Sequence, residues 1–319
     1  MEDNGRCLSG SAALGGNVNR VIVIVLNWNQ CRDTLSCLAS LARVDYPALD
    51  VLVVDNGSAD DSVRVIRERF PHVTVLESGR NLGFTGGNNV GMSWALGKGA
   101  DFVLLLNNDT EVASDFLKFL VEAMERDPRI GMAGSTICYS EQPQVIWSVG
   151  GSIDWHTGQT CMLGIGGSDM GQFGTEPRDV DFLTGCVLLV KAAVLKQVGL
   201  LDDRFFAYYE DAEWCWRARR AGFRVVHVPL SCIWHKISPQ AREASPQVHY
   251  YMTRNRLLFL GVTGAGARAW IHTLLNEYLR TLLSWSLLPK WRGKRRQLRG
   301  MFLAIGDAAR KHWGSRSVI

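Results

Sequence analysis

Five groups of side chains in this chain have types and spacing that could do chemistry. Asn107-Asn108-Asp109 follows the apolar run Phe-Val-Leu-Leu-Leu at 102–106. Three polar side chains capping a buried run are costly to desolvate unless a ligand, solvent or a metal meets them. A carboxylate beside amide oxygens suits a hard divalent cation shared with phosphate. Glu210, Asp211 and Glu213 come directly after the aromatic stretch 205–209. Acids in apolar surroundings are how a carboxylate pKa is raised towards that of a usable general base; an acidic first helical turn would use the same residues. Asp55 opens an Asp-Asn-Gly-Ser turn, which suits either a carboxylate displayed at a strand end or a cap on the next helix. The Gly-rich stretch Arg80–Asn89 could turn backbone N–H groups towards a diphosphate, although it is neither G-x-G-x-x-G nor a P-loop. His235, in Ile-Trp-His-Lys, becomes a ligand candidate only through company.

The elements that would position these residues are legible in the hydrophobic pattern. Val21–Leu26 is a continuous β-branched run, as expected of a strand covered on both faces, and similar runs recur at 51–54, 73–76 and 102–106. Helical patterns separate them at 34–43, 60–70 and 88–98, which predicts a doubly wound, mostly parallel α/β sheet. Right-handed crossovers put the carboxyl ends of such strands on one edge, where Asn27, Asp55 and the 107–109 triplet should meet. Downstream we expect a helix over 114–127 capped by Ser114, Gly-rich loops and short strands over 140–180, and a buried strand at 182–190. A short helix at 191–198, a helix at 211–221 and a strand at 225–228 ending before Pro229 complete the pattern.

Composition bounds the rest. With 319 residues, 47% hydrophobic, 21% charged, 32 Gly and 9 Pro, the chain is globular and large enough for one substantial core. Its net charge of +4 is unevenly distributed: residues 254–319 carry a net +11 and residues 1–253 a net −7. An acidic body argues against wholesale nucleic-acid binding. The eight cysteines form no C-x-x-C pair and sit mostly in apolar runs, so they read as buried hydrophobes of a reduced compartment. Residues 1–19 lack the apolar segment of a signal peptide, which predicts a loose arm on a cytoplasmic protein.

Taken in order, Val21–Asn29, Val53–Ser58, Asn81-Leu-Gly-Phe84 with Gly87-Asn-Asn89, Leu105–Thr110, Tyr209–Glu213 with Arg217, and Trp234-His235 resemble family 2 of the nucleotide-sugar glycosyltransferases, of the GT-A fold, and in particular its rhamnosyltransferase-like members. The resemblance covers about residues 20–260, leaving 261–319 as a basic helical extension. It implies that Asn27 and Asp55 hold the nucleotide base, with Arg80, Asn81 and Asn89 near ribose or diphosphate. Asn107, Asn108 and Asp109 stand where the family has its D-x-D, here in the N-x-D form. Asp109 and His235 would ligate a divalent cation, Mn²⁺ or Mg²⁺. Asp211 would be the catalytic base with Glu210 the runner-up, and Glu213 and Trp234 would face the acceptor. The implied reaction is a single inverting displacement that moves a sugar, rhamnose from dTDP-rhamnose first, onto a hydroxyl of a glycan or lipid-linked acceptor in cell-surface polysaccharide assembly.

A sugar-nucleotide pyrophosphorylase would need a G-x-G-T-R loop where this chain has Asn-Trp-Asn. A nucleic-acid-binding protein using the basic extension is the alternative from another class. Trp270–Leu288 is apolar but carries His272, Asn276, Glu277 and Arg280, so it should not cross a bilayer. Thr273, Glu277, Arg280 and Ser284 fall on one helical face and Ile271, Leu274, Leu275, Tyr278, Leu282 and Trp285 on another. Lys290–Arg299 follows with six basic residues and no acid, which suits peripheral attachment to an anionic inner membrane face. Packing on the body with a solvated basic run is the competing reading.

Overall fold

The computed structural model describes residues 18–237 and 245–316; most of the expected N-terminal arm, residues 1–17, lies outside them. Four strands, β1 (Val21–Asn27), β2 (Leu49–Asp55), β3 (Thr74–Glu77) and β4 (Phe102–Asn107), run parallel in the order β4-β1-β2-β3. Between them lie α1 (Cys31–Leu41), α2 (Ser62–Arg69) and α3 (Gly83–Gly97). The alternation of β1 explains its unbroken hydrophobicity. Val21, Val23 and Val25 enter one core and Ile22 and Ile24 the opposite one, all fully buried.

The sheet continues past β4 with β11 (Val187–Lys191), β6 (Ile130–Tyr139), β12 (Arg224–His235) and β10 (Arg178–Asp179). β5 (Thr110–Val112) pairs with β12, and β7 (Gln142–Ser148) with β6. α4 (Phe116–Arg126), α5 (Ala192–Val198) and α6 (Glu210–Arg220) cover this half, and β8 (Gly151–Asp154) pairs with β9 (Gln159–Met162) as a separate hairpin.

Several expected boundaries move, each for a physical reason. α3 starts at Gly83, five residues early, because the Gly-rich stretch is helix and not a phosphate loop. A Cβ on Gly87 would lie 2.4 Å from Leu26 Cδ1 and one on Gly91 2.7 Å from Ile24 Cγ2, so these glycines let the helix close on β1. α4 starts at Phe116 with no side-chain cap, because β5 holds the chain to residue 112 and Ser114 lies in the intervening turn, its carbonyl accepting from Asp45 N. β12 does not stop at Pro229. Its ladder with β6 slips between Val228 and Cys232, and the missing N–H of Pro229 falls in that irregularity. Residues 182–186 are not strand but a loop that ends on β11.

The C-terminal helices wrap back onto this body. α7 (Pro246–Val262) leads to α8 (Ala267–Ile271), a π-helical segment (His272–Leu279), α9 (Arg280–Leu287), a 3-10 segment (Pro289–Lys294) and α10 (Arg295–Ala309). Glu277 pairs with Arg256 and accepts from Gln159 Nε2 at 2.8 Å, while Tyr278 Oη donates to Thr253 O at 2.9 Å. It is thus Thr273, Glu277 and Tyr278 that turn inward. Ile271, Leu274, Leu275, Leu279, Leu283 and Leu287 stay exposed, and Tyr278 does not share their face as the helical wheel suggests. No helix among the described residues is long and apolar enough to cross a membrane.

Candidate active site

At the carboxyl end of β4 the chain turns through Asn108 and Asp109 into β5. β5 lies antiparallel to the end of β12 with Thr110 opposite His235. That register brings two residues 126 apart in sequence together: His235 Nε2 is 3.1 Å from Asp109 Oδ1. Burial works against charge on the ring, but Cys186 and the Asp109 carboxylate outweigh it and raise the His235 pKa to about 10. Burial likewise disfavours the Asp109 carboxylate, and the hydrogen bond from His235 overcomes this and lowers its pKa. Trp147 meets the His235 ring edge-on, with ring centroids 4.7 Å apart.

The start of α6 shares a cavity with this pair. Glu210 and Asp211 line the same cavity as Asn107, Asp109 and His235, a space of about 570 Å³. Glu210 is 5% exposed, and burial followed by the neighbouring Asp211 charge pushes its pKa well above the carboxylate range. Its Oε2 and the Oγ1 of Thr184, also in the wall, have no hydrogen-bond partner among the described residues. Asp211 accepts from Gly185 N at 3.2 Å and from Ala212 N at 2.8 Å. A buried acid whose pKa is raised thus stands next to a carboxyl group held by backbone donors, the kind of pair whose members divide acid and base roles.

The approach to α6 is strained. Phe206, Tyr208 and Tyr209 have φ of 66°, 71° and 72°, a left-handed conformation that costs a non-glycine residue about 1–2 kcal/mol.

The remaining predicted residues divide. Asn27 Nδ2 donates to Asp55 Oδ1 at 2.8 Å and Ser58 Oγ at 3.0 Å, and Thr34 Oγ1 joins Asn27 to Asn108. Asn27, Asp55 and Asn108 therefore form one buried network at the strand ends. Arg80, Asn81 and Asn89 line a separate groove. Asn81 Oδ1 accepts from Gly83 N and Asn56 Nδ2, and Asn89 clasps both Leu201 backbone groups and Asp203, so these two amides are occupied in holding the fold. Glu213 turns from the cavity into a two-pronged ion pair with Arg217. Trp234 also misses the cavity, because neighbours on a strand face opposite ways, and its Nε1 points at Pro143 O, 3.4 Å away. Trp147, Thr184 and Gly185 occupy the wall instead. They sit in segments read as loop or buried strand, and only the Gly185 turn carried a local signal.

The model of the Glycosyltransferase like family 2 matches residues 19–254. The chain belongs to glycosyltransferase family 2. Among characterised members, this family 2 chain is 31% identical over 216 residues to the N-acetylglucosaminyl-diphospho-decaprenol L-rhamnosyltransferase of Mycobacterium tuberculosis, covering 62% of this chain and 70% of that one. It is 25% identical over 253 residues to the dTDP-rhamnosyl transferase RfbF of Shigella flexneri, covering 76% and 80%. The fold is GT-A. The mannosyltransferase PcManGT from Pyrobaculum calidifontis, solved with GDP-Man and Mn²⁺, superposes with a TM-score of 0.59 at 16% identity over 92% of this chain and 87% of that one. GalNAc-T7, solved with UDP, GalNAc and Mn²⁺, superposes with a TM-score of 0.62 at 15% identity over 93% and 58%.

Proposed function

We propose that this glycosyltransferase moves L-rhamnose from dTDP-rhamnose onto a hydroxyl of a lipid-linked glycan, with inversion, in the assembly of a cell-surface polysaccharide. The observation that carries the reading is a cavity lined by Asp109 and His235 together with Glu210 and Asp211. The names of the M. tuberculosis and S. flexneri relatives support the sugar and the class of acceptor.

The residues divide the work. The nucleotide base would be held at the Asn27–Asp55 network, and exposed Arg80 would serve its phosphates. Asp211 takes the proton of the attacking acceptor hydroxyl. Glu210, kept neutral by burial, donates to an acceptor or donor oxygen without adding a second negative charge. No side chain need bond to the sugar, and one displacement inverts the anomeric carbon.

A divalent cation can take the place of the proton that Asp109 and His235 share, since a carboxylate oxygen and an imidazole nitrogen lie 3.1 Å apart in the cavity wall. Mn²⁺ tolerates the imidazole better than Mg²⁺. The cation's other coordination positions would be open to diphosphate oxygens and water. When bound, the cation would offset negative charge on the departing diphosphate.

The exposed row Ile271, Leu275, Leu279, Leu283 and Leu287, beside the basic run 290–299, supports attachment of the enzyme to the anionic inner face of a membrane, close to such an acceptor.

A thermal-shift panel of nucleoside diphosphates with Mn²⁺, followed by transfer from dTDP-rhamnose with the product anomer read by NMR, tests the reading. Stabilisation by dTDP and an inverted product are expected. Retention of configuration, or no stabilisation by any nucleoside diphosphate, would overturn it.

A further inference from the structure

The turn that aims Glu210 and Asp211 is held open by two adjacent residues of α7 that do not themselves line the cavity. Asn255 is fully buried, and its Nδ2 lies 2.8, 2.7 and 2.8 Å from the carbonyl oxygens of Phe205, Ala207 and Tyr208. The amide can face only one way, because its Oδ1 accepts from Arg254 Nε at 2.9 Å. Arg254, 1% exposed, reaches further along the same turn: its Nη2 donates to Arg204 O at 3.1 Å and Phe205 O at 3.0 Å.

A guanidinium this deeply buried needs compensation. Among the described residues its partners are carbonyls, a side-chain amide and aromatic groups. Tyr250 and Tyr251 lie with ring centroids 5.4 and 5.0 Å from Cζ, and Nη1 donates to Gly314 O at 2.6 Å. Gly314 N in turn donates to Arg204 O at 2.9 Å, so the C-terminal segment closes over the start of the turn.

The carbonyls collected by this pair belong to a stretch in which three non-glycine residues adopt positive φ. Such a conformation persists only when its surroundings over-determine it. A donor to three carbonyls of one turn, those of Phe205, Ala207 and Tyr208, does so, because relaxing a φ in the turn would swing a carbonyl away from Asn255.

We propose that Arg254 and Asn255 are positioning residues for glycosyl transfer: they lock the 205–209 turn in its left-handed form and thereby fix where Asp211 and Glu210 point. This rests on the glycosyltransferase reading of the cavity above. The Asn27–Asp55–Asn108 network at the ends of β1, β2 and β4 is held by hydrogen bonds that do not involve the clamp.

Asn255→Asp keeps the shape and replaces the N–H donors by an oxygen facing three carbonyls. We expect kcat to fall about 10²-fold, the cost of a displacement near 1 Å at the reacting groups. The affinity for dTDP with Mn²⁺ should stay within twofold, and amide hydrogen exchange over 205–211 should quicken at least tenfold. Asn255→Ser, smaller and uncharged, serves if the first variant does not fold, and should show the same split with a smaller fall in kcat. Unchanged exchange in a folded variant would overturn the clamp. Faster exchange with unchanged kcat would overturn its role in positioning, and an equal loss of nucleotide affinity would reduce it to general stability. If the unmodified enzyme transferred no sugar at all, the function would be wrong while the exchange measurement still judged the clamp.

Discussion

Asp109 and His235 meet at 3.1 Å because β5, only three residues long, pairs with the last three residues of β12. Had β12 stopped before Pro229, this contact could not form. The bulge that carries the strand past the proline is therefore what completes this wall of the site.

That pairing makes the cation test direct. Asp109→Asn removes the charged ligand and His235→Gln the imidazole, and in either variant stabilisation by Mn²⁺ in a thermal melt should largely vanish. Full Mn²⁺ stabilisation in both would remove the cation from this wall.

Asp211→Asn preserves size and deletes the proton acceptor, although one oxygen remains where two now accept, Oδ1 from Ala212 N and Oδ2 from Gly185 N. Turnover should fall about 10²–10⁴-fold with nucleotide binding intact. Near-normal turnover in Asp211→Asn, with a large loss in Glu210→Gln, would transfer the role of base to Glu210.

Gly87→Ala would place a methyl group 2.4 Å from Leu26 Cδ1. Overpacking of this kind costs about 1–3 kcal/mol, which a urea titration would read as a lower midpoint at constant slope. A midpoint equal to that of the unmodified chain would show that α3 can move off β1 without cost.

His227, 1% exposed, with its Nε2 2.9 Å from Thr136 Oγ1, is kept neutral by burial and by the Arg178 charge, which lower its pKa from 6.5 to about 4. Below pH 6.5 the unfolded chain takes up a proton that the folded chain refuses, so stability falls with pH down to about 4. The full effect is about 3 kcal/mol. His227→Gln should flatten that part of the stability–pH profile, and a profile unchanged by the substitution would assign the acid sensitivity elsewhere.

The outward apolar row repeats every four residues from Ile271, at 57% exposed, to Leu287, at 73%. The looser winding of the π segment helps to keep that spacing in line. Co-sedimentation with vesicles containing anionic lipid should be lost when Leu279, Leu283 and Leu287 are changed to Ser, and weakened when Arg295, Arg296 and Arg299 are changed to Gln, by about 1 kcal/mol per charge. Undiminished binding in both variants would remove this surface as the anchor. Concentration-dependent dimerisation that the Ser changes abolish would identify a second copy of the chain as the occupant instead.

The sequence by itself determined the doubly wound sheet and the residues at its carboxyl edge. Period-two burial, helical stripes and polar strand ends are local patterns, and a parallel sheet must bring Asn27, Asp55 and Asn107–Asp109 to one side. The family resemblance, likewise local in its motifs, also named Asp211 and His235. Only the tertiary structure decided which of two neighbours faces the cavity. It chose His235 over Trp234 and Glu210 with Asp211 over Glu213, because a strand alternates and a helix rotates its side chains, so a register set by distant pairing selects among them. It also turned the Gly-rich stretch from a phosphate loop into a helix pressed on β1, since close approach and phosphate binding demand the same residue. The inward face of 271–287 was decided by Arg256, whose charge near Tyr278 draws Glu277 in and leaves the leucines outside. An apolar stripe predicts burial only when no buried charge on the facing helix needs a partner more.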